Sequence, residues 1–239
     1  PWLGDASDAP DIETDGQPAP NALGDDGDGN DDENGVVFPG TLVAGTVTNV
    51  AFYVTNAVGL ACVELWIDWN ANGSWLDPGD ACVAGWCGNG WNVAPVSVPA
   101  AVAWGISFAR VRISSAGTGS PIGLAYDGEV EDYAVLLAGL DFGDAPESGT
   151  AYPTTLARNG ARHLLRGLVW MCPAVDSETD GQPTVAADGD DNAGIDDEDG
   201  VTLPTYIRQN RTESLSVNAT AVCKLNAWID YNGNGSWFD

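Results

Sequence analysis

Apolar and polar residues alternate along four short stretches in the first half of the chain. In the first of them, Val50, Phe52 and Val54 occupy every second position. The alternating apolar positions of the other three are Val63, Leu65 and Ile67; Ala109, Val111 and Ile113; and Val130, Ala134 and Leu136. A period of two places such side chains on one face of a strand, so each stretch predicts a β-strand. Because clusters of Gly, Asn, Asp and Pro separate the strands, we predict an all-β chain built from antiparallel, immunoglobulin-like β-sandwiches.

The chain also repeats itself. DIETDGQP at 11–18 returns as DSETDGQP at 176–183, and DDGDGNDDENG at 25–35 returns as DDNAGIDDEDG at 190–200. WIDWNANGSWLD at 66–77 returns as WIDYNGNGSWFD at 228–239. Three ordered matches at nearly one spacing predict a tandem array with a period of about 160 residues.

We therefore divide the chain into a first repeat, 1–140, and a second repeat, 141–239, which opens with DFGDAP. The first repeat lacks that opening segment, and the second stops before the strands that would complete its sandwich. Two explanations stay open at this point. Either the chain is a window on a longer protein, or a neighbouring subunit completes each module by adding strands.

The charge balance excludes several classes of partner. The chain carries 35 acidic residues against 8 basic ones, for a formal net charge of −27. Nucleic acids and anionic membrane surfaces attract basic proteins, so we expect neither as a partner. The chain has no apolar run near 18 residues, so we expect no membrane insertion. Because 44% of the residues are hydrophobic and 10 are Trp, the chain can still bury a core.

The D-x-N-x-N-G pattern predicts a calcium loop. Asp68, Asn70 and Asn72 offer oxygens at positions 1, 3 and 5, and Gly73 follows at position 6 for the sharp turn. The pattern departs from an EF-hand because position 12 is not Glu, so Asp77 and Asp80 supply the remaining carboxylates. The second copy offers the matching ligands Asp230, Asn232, Asn234 and Asp239. The alternative is an Asn-Gly hairpin turn that needs no metal.

A second acidic stretch in each repeat is also a candidate calcium site. Its predicted ligands are Asp25, Asp26, Asp31, Asp32 and Glu33 in the first copy, and Asp190, Asp191, Asp196, Asp197 and Glu198 in the second. Carboxylates packed this densely repel one another unless a cation neutralises them. The alternative is a solvated acidic linker. The preceding ETDGQP segment either joins the same site or caps a turn; its candidate residues are Glu13, Asp15 and Gln17 in the first copy and Glu178, Asp180 and Gln182 in the second.

GEVEDY at 128–133 ends the first repeat. In a strand, Glu129, Glu131 and Tyr133 share one face, and Asp132 takes the other. Arg110 and Arg112 project from one face of another strand, so the simplest expectation is a cross-strand Arg–Glu pair, which is compatible with calcium ligation by Asp127 or Asp132.

GEVEDY, together with DFGDAP, VDSETDGQP, DDEDGV and WIDYNGNGSW, resembles the GEVED-type repeat of bacterial surface and secreted proteins. The resemblance extends over nearly all of the chain. It implies immunoglobulin-like modules strung in tandem in large extracellular proteins with adhesive or structural roles, and it implies no catalytic activity.

Five cysteines suggest disulfides in a secreted chain. Cys82–Cys87 and Cys172–Cys223 are two pairings among several that the sequence allows, and an odd thiol remains. Cys62 is equally well explained as a small core residue.

These observations predict a non-enzymatic extracellular protein. We expect a subunit of a calcium-stabilised cell-surface filament, sheath or stalk, which self-associates into longer arrays. The alternative is an adhesin repeat that binds surface glycans or proteins through exposed Trp residues. An enzyme is not expected, because His163 is the single histidine and the carboxylates lie in repeated loops.

Overall fold

The computed structural model describes residues 1–7, 9–10, 15–24, 34–149, 151–167, 169–172, 174–189, 191, 197 and 200–238. These residues form an all-β chain with no α-helix and one turn of 3₁₀ helix at Leu156–Arg158. None of them forms a helix that could span a bilayer. The chain divides into two compact units, residues 1–138 and 139–239, here called unit 1 and unit 2.

Unit 1 contains two sheets. In chain order its strands are β1 Trp2–Leu3, β2 Val36–Val37, β3 Leu42–Val43, β4 Val47–Thr55, β5 Ala61–Ile67, β6 Ala81–Cys87, β7 Gly90–Ser97, β8 Gly105–Ser114 and β9 Glu129–Ala138. One sheet is centred on β4, which pairs antiparallel with β1, β2 and β7. The other has the order β3-β9-β8-β5-β6, in which only the short β3 runs parallel to its neighbour.

One hydrophobic core joins the two sheets, which is consistent with a β-sandwich. The first sheet contributes Val50, Phe52, Val54 and Val96, and the second contributes Val63, Leu65, Val111, Ile113 and Leu137. The alternation that predicted β4 is confirmed, because its apolar residues are buried while their neighbours are partly exposed. Burial of these side chains is the main term that stabilises the unit.

Strand β5 is buried on both faces, which its alternating sequence does not predict. Glu64 is only 4% exposed. Its carboxylate accepts hydrogen bonds from the backbone N–H groups of Thr118 (2.6 Å) and Gly119 (2.7 Å). The segment 115–123 therefore covers the outer face of this sheet, and the buried charge is satisfied by backbone donors.

Strand β9 lies where the sequence predicted it, but the expected inner face was wrong. Glu131, Val135 and Leu137 are buried, whereas Val130 and Ala134 are exposed. Because the side-chain period of a strand is two, this difference of one position moves every side chain to the opposite face.

Unit 2 has shorter strands. They are β10 Leu140–Phe142, β11 Arg162–Leu164, β12 Val201–Thr202 and β13 Ser216–Val217. Strand β10 pairs antiparallel with β11, and β12 pairs antiparallel with β13. The WIDYN segment of this unit is not in a strand, and Trp228 is 66% exposed. Its counterpart in unit 1, Trp66, is buried in β5.

Candidate metal centres

The loop after β5 turns around the carboxylate of Asp68. Its Oδ1 accepts from the N–H of Asn72 (3.2 Å), and its Oδ2 accepts from the N–H of Gly73 (2.8 Å). The side chain of Asn72 in turn accepts from the N–H of Ser74 (2.9 Å). Ala71 and Gly73 both have positive φ, of +53° and +84°. Short polar side chains that bond to nearby backbone N–H groups fold such a turn locally.

The later residues of this loop return to its first half. Asp77 Oδ2 accepts from Asn72 Nδ2 (2.7 Å), and Asp80 Oδ2 accepts from the N–H of Asp77 (3.1 Å). Burial, together with the charges of Asp77 and Asp68, raises the pKa of Asp80. The loop therefore brings Asp77 and Asp80 back towards Asp68. These three carboxylates are not a group whose oxygens all lie within 4.8 Å of one another; among the described residues, that separation is found elsewhere in the chain. The candidate ligand atoms of the loop are all oxygens, which hard cations such as Ca²⁺ prefer.

The second copy of the loop has the same internal hydrogen bonds. Asp230 accepts from the N–H groups of Asn234 (3.3 Å) and Gly235 (2.7 Å), and Asn234 accepts from that of Ser236 (2.8 Å). Tyr152 also donates to Asp230 (2.6 Å). These donors lower the pKa of Asp230 to about 2, the Tyr152 hydroxyl having the largest effect. Asn232 lies within the turn, and Asp239 lies outside the described residues.

Most predicted ligands of the second acidic stretch lie outside the described residues. These are Asp25, Asp26, Asp31, Asp32, Glu33, Asp190, Asp196 and Glu198. Asp191 and Asp197 are described, and Asp197 belongs to a cluster with Asp141 and Glu178. One carboxylate oxygen from each of these three side chains lies within 4.8 Å of the others.

Backbone pairing positions this cluster. Asp141 is the central residue of β10 and lies opposite His163. Glu178 is anchored beside the same strand, because its N–H donates to Leu140 O (2.8 Å) and its Oε2 accepts from the N–H of Phe142 (2.8 Å). The main-chain oxygen of Asp197 accepts from the Cys172 thiol. Three segments distant in sequence thus bring their carboxylates together.

Burial and mutual repulsion perturb the cluster electrostatically. Burial raises the pKa of Glu178 to about 7, and the charges of Asp141, Asp197 and Asp176 add to it. Burial likewise raises the pKa of Asp141 to about 6, with Asp197 and Asp176 adding to the shift and His163 opposing it. The pKa of Asp197 is raised for similar reasons. Such a group of carboxylates takes up either protons or a cation.

From the sequence, Glu178 was either a metal ligand or a turn cap, and Asp141 was not predicted as a ligand. Asp141 is an isolated acid of DFGDAP with no carboxylate at a neighbouring position. Only the antiparallel pairing of β10 shows which side of the strand it occupies. The repetition of ETDGQP next to the acidic stretch was the one available indication for Glu178.

The raised pKa values of the cluster predict how the unfolding free energy of the cation-free protein depends on pH. A carboxyl whose folded pKa is raised stabilises the fold fully below its unfolded pKa, about 4.5, and loses that contribution as pH rises through about 7. Unfolding free energies measured in chelator between pH 4.5 and 7.5 should therefore fall with pH. The Glu178→Gln variant should show a smaller fall than the original protein. Equal slopes for the two proteins would contradict this assignment.

The acidic residues of GEVEDY bind backbone groups of distant segments. Glu129 Oε2 accepts from the N–H of Leu3 (2.6 Å), and Glu131 Oε1 accepts from that of Gly35 (3.3 Å). The Tyr133 hydroxyl donates to Glu131 Oε2 (2.6 Å). The predicted Arg–Glu pairing of this motif is wrong, because its two glutamates instead hold the chain next to β1 and β2.

Asp132 pairs with Arg110 on the opposite face of the motif. The Arg110 guanidinium donates to both oxygens of this carboxylate, at 2.8 and 2.6 Å, and also lies 4.2 Å from the centre of the Trp75 ring. A bidentate pair of this kind occupies both carboxylate oxygens. The pairing therefore gives no support to Asp132 as a calcium ligand.

All five cysteines are free thiols, so the disulfides that we predicted do not form in this structure. Cys82 and Cys87 lie at opposite ends of the extended β6, about 16 Å apart at the usual rise of a strand. A disulfide needs Cα atoms closer than about 7 Å. Cys172 is buried, whereas Cys223 is exposed.

Comparison with known proteins gives a match to the second half of unit 1. No curated protein matches the chain. The family model of the GEVED domain matches residues 62–136. That range runs from β5 into β9 and includes both the loop around Asp68 and the GEVEDY motif. Residues 62–136 therefore match the GEVED domain, as the resemblance of the motifs predicted.

Proposed function

We propose that this chain is a non-enzymatic structural protein of the cell exterior. In this proposal, immunoglobulin-like modules follow one another in tandem, and calcium stiffens them into a filament, sheath or stalk. The observation that carries the proposal is the D-x-N-x-N-G loop, which adopts one hydrogen-bonded conformation twice. It does so at the end of a buried strand after Ile67 and again, outside any strand, after Ile229.

Calcium is the ion that this loop fits best. Asp68 and Asp80 are each 3% exposed, and carboxylates buried next to one another are costly unless a cation offsets their charge. All the candidate ligand atoms are oxygens, and hard cations with flexible geometry prefer such ligands. The carboxylate of Asp77 closes the loop against Asn72. A bound ion would replace these internal hydrogen bonds as the element that holds the loop together.

Assembly by strand addition is supported by the edges of unit 1. Strand β6 ends one sheet, and β7 pairs with β4 alone within the described chain. Between these two edge strands lies a groove of about 430 Å³, whose lining includes Phe52, Val63, Val83 and Ala94. An edge strand with unpaired backbone groups is the usual acceptor for a strand from another chain.

Electron microscopy of the native protein as shed from cells tests the proposal. We expect regular filaments in calcium that fray or dissolve when a chelator is added. Magnesium at the same concentration is the control and should not restore them, because it demands a stricter octahedral geometry. Discrete particles in both conditions would overturn the filament proposal.

An adhesin is the second candidate, and exposed aromatic residues favour it. Trp86 and Trp91 are 58% and 62% exposed on the neighbouring strands β6 and β7. The Trp91 ring packs edge-on against Tyr53, with 5.2 Å between the ring centres. Exposed aromatic faces are suited to stacking on sugars or to a protein interface. The adhesin function predicts saturable binding on a glycan array by discrete, non-filamentous particles of the protein. The Trp91→Ala variant should lose this binding.

A further inference from the structure

We propose that Asp141, Glu178 and Asp197 form a further calcium site in unit 2, which joins β10 to Glu178 of the ETDGQP segment and to Asp197. The site deepens the proposed function, on which it rests for the identity of the ion. It differs from the D-x-N-x-N-G loops because its ligands come from three segments that are distant in sequence.

The geometry of the cluster suits a single ion. An oxygen from each carboxylate lies within 4.8 Å of the other two, a separation that one cation with oxygen ligands at 2.3–2.6 Å can bridge. The Glu178 backbone donates to Leu140 O, and its carboxylate accepts from the N–H of Phe142, so both the main chain and the side chain of Glu178 are held against β10. The Glu178 carboxylate is therefore positioned before an ion arrives.

An unsatisfied buried oxygen points to the ligand independently of the cluster. Glu178 is only 8% exposed, and its Oε2 is occupied by the N–H of Phe142. Its other oxygen, Oε1, is buried and has no hydrogen-bond partner among the residues that the structure describes. A buried carboxylate oxygen without a donor is costly. A cation between the three carboxylates would satisfy it.

The chemistry of the surroundings favours calcium over a softer metal. The three gathered ligands are carboxylates, and Asp176 adds negative charge close to each of them. Zinc prefers nitrogen and sulfur ligands, but the nearby Cys172 thiol donates to the main-chain oxygens of Ala174 and Asp197. A hard, multiply charged cation fits this environment best.

The number of ions bound by the 239-residue chain tests the site. Equilibrium dialysis against buffered calcium, followed by elemental analysis, gives the number of bound ions per chain. We expect Glu178→Gln to bind one ion fewer than the original protein. Glu213→Gln is the matched control, because it makes the same chemical change at an ion pair with Arg208 (2.6 Å) in the same unit, and it should bind the full number.

A second variant distinguishes loss of a ligand from a change in folding. Asp141→Asn removes a different ligand of the same site and should lose the same single ion, with the far-ultraviolet circular dichroism of the original protein. If both variants bind the full number of ions, the site is overturned. Asp68→Asn distinguishes failure of this site from failure of the proposed function. If Asp68→Asn loses an ion while Glu178→Gln and Asp141→Asn do not, the unit 2 site is overturned and calcium binding by the D-x-N-x-N-G loop is supported. A chain that binds no calcium at all would overturn both.

Discussion

Chelation of calcium should lower the melting temperature of the protein by about 5–10 °C for each ion that is lost. A ligand at 100 times its dissociation constant stabilises the folded state by about 2.7 kcal/mol. One kcal/mol shifts the melting temperature of a chain of this size by about 2–4 °C. The physical reason is that Asp68 and Asp80 in unit 1, and Glu178 in unit 2, are buried carboxylates that an ion would neutralise.

Differential scanning calorimetry with calcium, with chelator and with magnesium provides the measurement. Single-site variants show which sites contribute to the shift. Asp68→Asn, in unit 1, and Glu178→Gln, in unit 2, should each reduce the calcium-dependent shift in melting temperature. A melting curve that chelation leaves unchanged would show that the clustered carboxylates do not hold calcium.

Replacement of Gly128 by alanine should destabilise unit 1 by at least about 3 kcal/mol, among the largest effects of a single substitution. Gly128 opens the GEVEDY motif with φ of +99°, and a Cβ atom there would lie 1.8 Å from the main-chain oxygen of Ile113. The contact is with backbone, so no side chain can move away to relieve it. Ile113 is paired with Glu129 between β8 and β9, and the clash would separate these central strands.

Gly123→Ala is the matched control for this substitution. Gly123 also has a positive φ, of +86°, but a Cβ atom would meet nothing within 4 Å. Its variant should therefore lose only the conformational term, about 1 kcal/mol. Urea denaturation of both variants measures the difference. Equal losses would mean that the backbone conformation, and not the contact with Ile113, makes glycine necessary at position 128.

Local features could be predicted from the sequence because their interactions are local. The alternation of Val50, Phe52 and Val54 identified β4 and its buried face. The turn of the D-x-N-x-N-G loop depends on Asp68 bonding to residues four and five positions later, and the same bonds return in unit 2 without a strand before the loop.

Features that depend on distant segments could not be predicted. The outward face of β5 looks solvent-exposed in the sequence, but segment 115–123 covers it and satisfies Glu64. The glutamates of GEVEDY bind backbone groups about a hundred residues earlier in the chain, so no pattern within the motif reveals their partners. The position of Cys82 and Cys87 on one extended strand separates two thiols that are close in sequence.

The amino-acid sequence by itself determined that this chain is all-β and that its D-x-N-x-N-G segments, which occur twice, turn as they do. Strand periodicity and short-range hydrogen bonds require only neighbouring residues. The tertiary structure alone decided which face of β9 enters the core and which carboxylates meet. Glu178 meets Asp141 because it hydrogen-bonds to Leu140 and Phe142 on either side of that residue, and no pattern within one segment reveals a contact with another. The buried face of β9 follows from its register, which is fixed by the burial of whole strand faces.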